Sequence, residues 1–343
     1  MRKKNISILS VLVLTLLLCG VAWAQSEKVV SLPYFDTPGF IPYYWQPQHI
    51  LAQGTIFEGL FGYAPNPELI GGVEVIPLLA ESYEVSEDYK VWTFKLREDK
   101  KWSNGDPVTA KDFEWSFRYY ASPKIPDFPA WAGPIQFFDN FWAVKSGALS
   151  EEELGVRAID DYTLEITLYQ PKYDLKEWLC TAQGVPLHRG NVEADPENWW
   201  KPENIVVNGP YIPQYWTPGE EMALVRNHNY VGEVGNVDKV ILKFGGPGIQ
   251  QYQAEELDAV FIQNVAEYKF VLADPELSQQ FHETLMDPFW YGYQISRGFD
   301  PLMDNKQLRQ ALAMAIDREL LCEQVLGGRA LPLGSYWPKG TPI

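Results

Sequence analysis

The side chains that most often do chemistry are scattered in this chain. His49, His188, His228 and His282 fall at no spacing that would gather a metal ion. No GxSxG elbow, HExxH helix or phosphate-binding loop occurs, and no motif marks a carboxylate pair among the 45 acidic residues. Neither a catalytic residue, a metal nor a cofactor is expected. The densest run of aromatic side chains lies between Pro33 and Pro47. There Tyr34, Phe35, Phe40, Tyr43, Tyr44 and Trp45 are interleaved with prolines. Proline at this density excludes a helix, and so many large rings cannot all be solvated.

The elements that must position such a segment are legible by their periods. Lys28 to Leu32 reads as an opening strand. In Val91–Phe113, Trp92, Phe94 and Leu96 share one face of a strand, and Thr93, Lys95 and Arg97 share the other. Asn104-Gly105-Asp106 supplies a turn. Thr109 then stands as an N-cap, with Asp112 three residues on to complete a short capping box. Val156–Leu168 predicts a hairpin around Asp160-Asp161, and Tyr211–Arg226 a second one turned by Thr217-Pro218-Gly219-Glu220. Lys239–Phe244 is a further alternating strand. From Asn305 the pattern becomes helical, with Leu308, Leu312, Ala315 and Ile316 on one stripe and Gly327-Gly328 as its stop. The class is mixed α and β throughout.

The first residues carry an address. Arg2, Lys3 and Lys4 precede an apolar run from Ile6 to Leu18 and a small-x-small site, Ala22-Trp23-Ala24. This predicts a secretory signal peptide cleaved after Ala24; the competing reading is a lipoprotein anchored through Cys19, against which stands the large Leu18 before it. Beyond Ala24 no apolar stretch is long enough to cross a bilayer. Loss of three basic residues with the leader takes the net charge from −17 to −20. Such acidity opposes binding to nucleic acid or anionic lipid by bulk electrostatics. Two cysteines remain, Cys180 and Cys322, compatible with one disulfide or two buried thiols.

Five blocks occur in one order along the chain: Phe57-Glu58-Gly59-Leu60; the Val91–Phe113 segment, led by Pro77–Ser82; Leu154–Asp161 with Thr163-Leu164-Glu165; Pro202–Tyr211; and Arg309–Arg318. Together they resemble the family 5 extracellular solute-binding proteins, receptors that feed ABC importers, and most closely the oligopeptide-binding branch. The resemblance implies a periplasmic-binding-protein type II clamshell, two lobes with a smaller inserted domain and with hinge closure over ligand. Mapped onto this numbering, it divides the chain into a leader (1–24), a first segment of lobe I (25–62), the inserted domain (63–175), a second segment of lobe I (176–280) and the start of lobe II (281–343). Family members are longer, so an incomplete second lobe is expected.

The implied activity is capture of oligopeptides, periplasmic or otherwise outside the cytoplasm, by a monomer that delivers them to a membrane permease. A receptor tolerant of peptide sequence holds the backbone, by adding the ligand as a strand. In this family the loop before the FEGL-type block offers one such edge, which maps to Tyr43, Tyr44, Trp45 and Gln46, with Pro47 lacking an N–H to donate. Two other readings remain open. Thirteen tryptophans allow an oligosaccharide ligand, with Trp131, Trp142, Trp199 and Trp200 as a stacking platform, and an exported hydrolase is the remote alternative.

Overall fold

In a computed structural model, residues 27–36, 40–42, 54–66, 73–125, 133–246, 248–262, 264–282 and 301–333 are described. The strands among them are β1 (Val29–Tyr34), β2 (Phe61–Pro65), β3 (Val73–Pro77), β4 (Ala80–Val85), β5 (Val91–Leu96), β6 (Val156–Asp160), β7 (Thr163–Thr167), β8 (Tyr211–Thr217), β9 (Glu221–Arg226) and β10 (Lys239–Phe244). They form a four-stranded sheet of order β1-β10-β9-β8, a second of order β4-β5-β7-β6, and the pair β2-β3.

The second sheet follows directly from alternation. β5 lies between β4 and β7, antiparallel to both. Trp92, Phe94 and Leu96 are buried on one face, joined there by Leu164 and Ile166 of β7. That face is covered by α1 (Ala110–Ala121), whose Phe113, Phe117 and Tyr120 are fully buried. Burying each such side chain contributes about 1.5–3 kcal/mol. The start of α1 is fixed as the sequence predicts. The Asp112 carboxylate accepts from the Thr109 N–H at 2.7 Å and from its hydroxyl at 3.0 Å. Burial raises the pKa of that carboxyl above the ordinary aspartate value, against the opposing pull of these hydrogen bonds. Gly105, at φ +96°, makes the preceding turn in a conformation a side chain would strain.

Both predicted hairpins form, as β6-β7 and β8-β9. The tip of the second is tied down from afar, since the Gly219 N–H donates to the Asp36 carboxylate at 2.9 Å. What periodicity does not reveal is the pairing of β1. It runs parallel to β10, from Val29 opposite Lys239 to Tyr34 opposite Phe244. Parallel neighbours need a crossover, and here it contains every other strand among the described residues. The first sheet therefore draws its strands from either side, in sequence, of the second sheet. A continuous core runs through both, from Phe40 and Ile56 to Leu242, while Ile249, Val271 and Leu277 make a separate small cluster.

One expected element differs. The helix predicted from Asn305 to the Gly327-Gly328 stop is interrupted. Asn305 caps Lys306–Met314 by accepting from the Gln307 N–H at 2.9 Å, but the helix ends there. Asp317 then begins a new turn by accepting from the Leu320 N–H at 2.9 Å. An aspartate that bonds the backbone ahead of it favours a fresh start over continuation. Gly327 and Gly328, at φ +62° and +79°, do end the second piece.

Cys180 and Cys322 are both free and buried thiols. Burial, followed by the neighbouring Glu177 charge, pushes the Cys180 thiol up to about 12. At about pH 8 its thiolate is then roughly a thousandfold scarcer than in an unfolded chain. In a Cys322→Ser variant, Ellman's reagent should therefore label the native protein at least about a thousandfold more slowly than the urea-unfolded one; comparable rates would place Cys180 outside the core.

Candidate ligand-binding region

Tyr43, Tyr44, Trp45 and Gln46 lie outside the described residues, as do Pro47, Trp131 and Cys19. The chain on either side of the candidate segment is placed. Phe40, Ile41 and Pro42 are buried on its leading side. On its trailing side Gly54, at φ +73°, turns the backbone so that its N–H donates to the Phe57 carbonyl at 2.7 Å. Ile56, Phe57 and Leu60 then enter the core.

Two of the sequence blocks meet here. The Asn208 side chain bonds the backbone of Glu58 on both sides, accepting from its N–H and donating to its carbonyl, each at 3.0 Å. Gly209 donates its N–H to the Ile56 carbonyl at 2.9 Å, and Tyr211 donates to Thr55 at 3.0 Å. The approach is so close that a Cβ on Gly209 would lie 2.5 Å from the Ile56 carbonyl carbon. Only glycine fits, because the obstacle is backbone and cannot turn aside. The Asn208-Gly209 pair is thus a clasp on the residues that follow the candidate segment.

Beneath the clasp sits a buried charge. Glu58 follows two core residues and is as buried as they are. It pairs with Lys100 at 2.7 Å, the two side chains being 3% and 4% exposed. Its other carboxylate oxygen accepts from the Tyr230 hydroxyl, and the Lys100 ammonium stands 4.9 Å from the Tyr230 ring centre. Burial, then the Glu58 charge, holds the Tyr230 phenol well above its ordinary range, so it remains the donor. Sequence reading marked the block containing Glu58 without seeing this role. The available signal was one charge inside Ile56-Phe57-Glu58-Gly59-Leu60, since a carboxylate among core residues requires a partner.

Of the four tryptophans expected as a stacking platform, Trp142, Trp199 and Trp200 are described. Trp199 is buried, and Trp200 packs its edge against Trp216 at 6.0 Å. Trp142 is 56% exposed. Trp92 and Trp102 are both in the core. Among the described residues no three His, Cys, Asp or Glu side chains are grouped to hold a metal ion, and no helix is long and apolar enough to cross a membrane.

Against known proteins, residues 74–343 match the family model described as bacterial extracellular solute-binding proteins, family 5 Middle. The periplasmic oligopeptide-binding protein OppA of Salmonella typhimurium is 32% identical over 296 residues, which cover 83% of this chain and 52% of that protein. The periplasmic murein peptide-binding protein MppA of Escherichia coli is 30% identical over 292 residues, with the same shares covered. The solved structure of Burkholderia pseudomallei OppA superposes with a TM-score of 0.71 at 26% identity, over 92% of this chain and 61% of that one. The chain spans about half the length of the curated relatives it matches.

Proposed function

This chain belongs to the bacterial extracellular solute-binding proteins of family 5, and on that premise we propose that it serves an ABC importer as an oligopeptide receptor. The observation that carries the reading is the family match over residues 74–343, together with similar relatives named for binding oligopeptides and murein peptides. The family is one of solute-binding proteins, and its fold, shared here, is the α/β fold of periplasmic receptors. The protein acts outside the cytoplasm, as a monomer, and hands its ligand to the permease.

In this reading residues 63–175 form the inserted domain, flanked by lobe I segments at 25–62 and 176–280, with 281–343 opening lobe II. Peptide main chain pairs with the edge formed by Tyr43, Tyr44, Trp45 and Gln46, and side chains enter roomier pockets. The clasp of Asn208 and Gly209 fixes Thr55–Glu58, further along the chain from that edge.

Native mass spectrometry of the protein purified from its own cells, with the bound material released and sequenced, tests this directly. Peptides of mixed sequence are expected. Masses spaced by hexose units, or a sterol acid of the kind named for one relative, the probable deoxycholate-binding protein YgiS of Escherichia coli, would overturn it. With a released peptide in hand, Trp45→Ala should weaken binding about tenfold by calorimetry, the loss of one aromatic contact of about 1.4 kcal/mol. An unchanged affinity would remove Trp45 from the site.

A further inference from the structure

The hairpin β4-β5 carries a cavity that the peptide reading does not use. It measures about 490 Å³, within the usual range for small-ligand sites, and is lined by Tyr83, Tyr89, Trp92, Tyr173, Glu87 and Lys176, among others. A trench of about 360 Å³ on the other side of Tyr83 and Lys176 continues it toward Glu81 and Phe61. Ring faces dominate its walls. Tyr83 stacks on Trp92, centroids 5.7 Å apart and planes 22° from parallel. Tyr89 meets Tyr173 at 4.4 Å, and Tyr173 is 70% exposed.

The rings are held there against local preference. Tyr89 occupies the hairpin turn at φ +55°, a left-handed position where glycine or asparagine is favoured and a bulky side chain is an outlier. Its carbonyl accepts from the Lys172 N–H at 3.2 Å, which brings Tyr173 alongside. The floor residue Trp92 has a buried indole N–H with no hydrogen-bond partner. Neither Tyr89, on the turn, nor Tyr173, on the segment after β7, belongs to the main core or to the residues packed against it. A tyrosine kept in a strained conformation for such a position is one of the places where function is sought first.

The charges on the wall restrict the occupant. Among the described residues neither Glu87 nor Lys176 has an ion-pair partner. The Lys176 ammonium lies 5.4 Å from the Tyr83 ring centre. The Ser86 hydroxyl is committed, donating to Asp88 at 2.6 Å and accepting from the Val91 N–H at 2.9 Å. A cationic ligand would meet Lys176, and an anionic one would meet Glu87 and, along the trench, Glu81. A neutral ligand with C–H faces for the rings and hydroxyls on its perimeter satisfies all of them. Its hydroxyls donate to Glu87 and accept from Lys176.

We propose that this aromatic cavity on the β4-β5 hairpin is a binding site for a neutral saccharide, separate from the segment Tyr43–Gln46. It stands on the cavity, its rings and its charges, independently of which solute the receptor carries.

Saturation-transfer NMR and calorimetry with maltotriose, cellotriose and chitotriose, each at up to about 10 mM, test the site. At least one trisaccharide should bind. Tyr173→Ala and Tyr89→Gly should each weaken it at least about tenfold, whereas Trp142→Ala, which removes an exposed tryptophan elsewhere, should leave it unchanged. Tyr89→Gly also relieves the left-handed position, so its thermal midpoint should be no lower than that of the parent; a lost ligand with intact stability separates a binding role from a structural one. Peptide affinity should be unaltered in both tyrosine variants. Failure of all three sugars to bind, binding that survives both tyrosine substitutions, or occupation of the cavity by a proline-rich peptide instead would each overturn the proposal.

Discussion

Replacing Lys100 with methionine is expected to lower the stability of the protein by about 3–5 kcal/mol, the range found when one member of a buried ion pair is removed. The reason is desolvation. Glu58 and Lys100 are almost wholly withdrawn from water and 2.7 Å apart. Methionine leaves the Glu58 carboxylate buried with the Tyr230 hydroxyl as its remaining donor among the described residues. Urea unfolding followed by tryptophan fluorescence measures the loss. A control sets the scale. Lys111 pairs with Asp161 at 2.6 Å, but both side chains stand in solvent. Lys111→Met should therefore change stability by less than about 1 kcal/mol. Adding Glu58→Leu to Lys100→Met should recover part of the loss, since no charge then remains buried. The recovery stays incomplete because Tyr230 loses its acceptor. A single-variant loss below about 1 kcal/mol would mean that water reaches the pair.

Trp102→Ala is expected to be as damaging, about 3–5 kcal/mol by the same measurement, through a different mechanism. The side chain is fully buried between the turn and the helix it introduces. Its ring lies edge-on to His188 at 5.4 Å, and its indole N–H points to the Asp112 carboxylate that caps α1, at 3.5 Å. His188 in turn accepts from the Asn191 N–H at 3.0 Å, so the hole would open beneath two helix starts at once. Trp142→Ala removes a ring of the same size from an exposed position and should change stability by no more than about 0.5 kcal/mol. Equal losses at the two sites would contradict the burial that distinguishes them.

That contrast shows how far the sequence could be read. Trp102 and Trp142 are the same letter. What sets Trp102 apart is the segment it stands in, one of the blocks that resemble the family, with a turn and a capping box within ten residues. Structure written in short periods was legible for that reason: the faces of β5, the two hairpins with their turn residues, and Thr109 with Asp112 each depend on neighbours a few positions away. Lys306–Met314 was legible at its start but not at its end, because Asp317 competes locally with a stripe that would otherwise run on. The rest was decided at a distance. Glu58 finds Lys100 and Tyr230 across 42 and 172 residues, separations that no period encodes. The fold class came from ordered blocks and agrees with the family. The ligand edge at Tyr43–Gln46 came from that resemblance alone, on residues whose own pattern says only that they are aromatic and not helical.

The parallel pairing of β1 with β10 has a consequence in time. A chain that emerges N-terminus first presents Val29–Tyr34 some 200 residues before its partner, Lys239–Phe244, exists. At synthesis rates of about 5–20 residues per second, that interval lasts roughly 10–40 s. The sheet of β4 to β7, whose partners all lie between Ala80 and Thr167, closes its contacts much earlier. Contacts of long sequence separation are also the slow ones to form. The opening strand is thus the first made and among the last housed, an unpaired apolar edge on view throughout the folding of everything between. Whatever escorts this chain must shield its beginning longest.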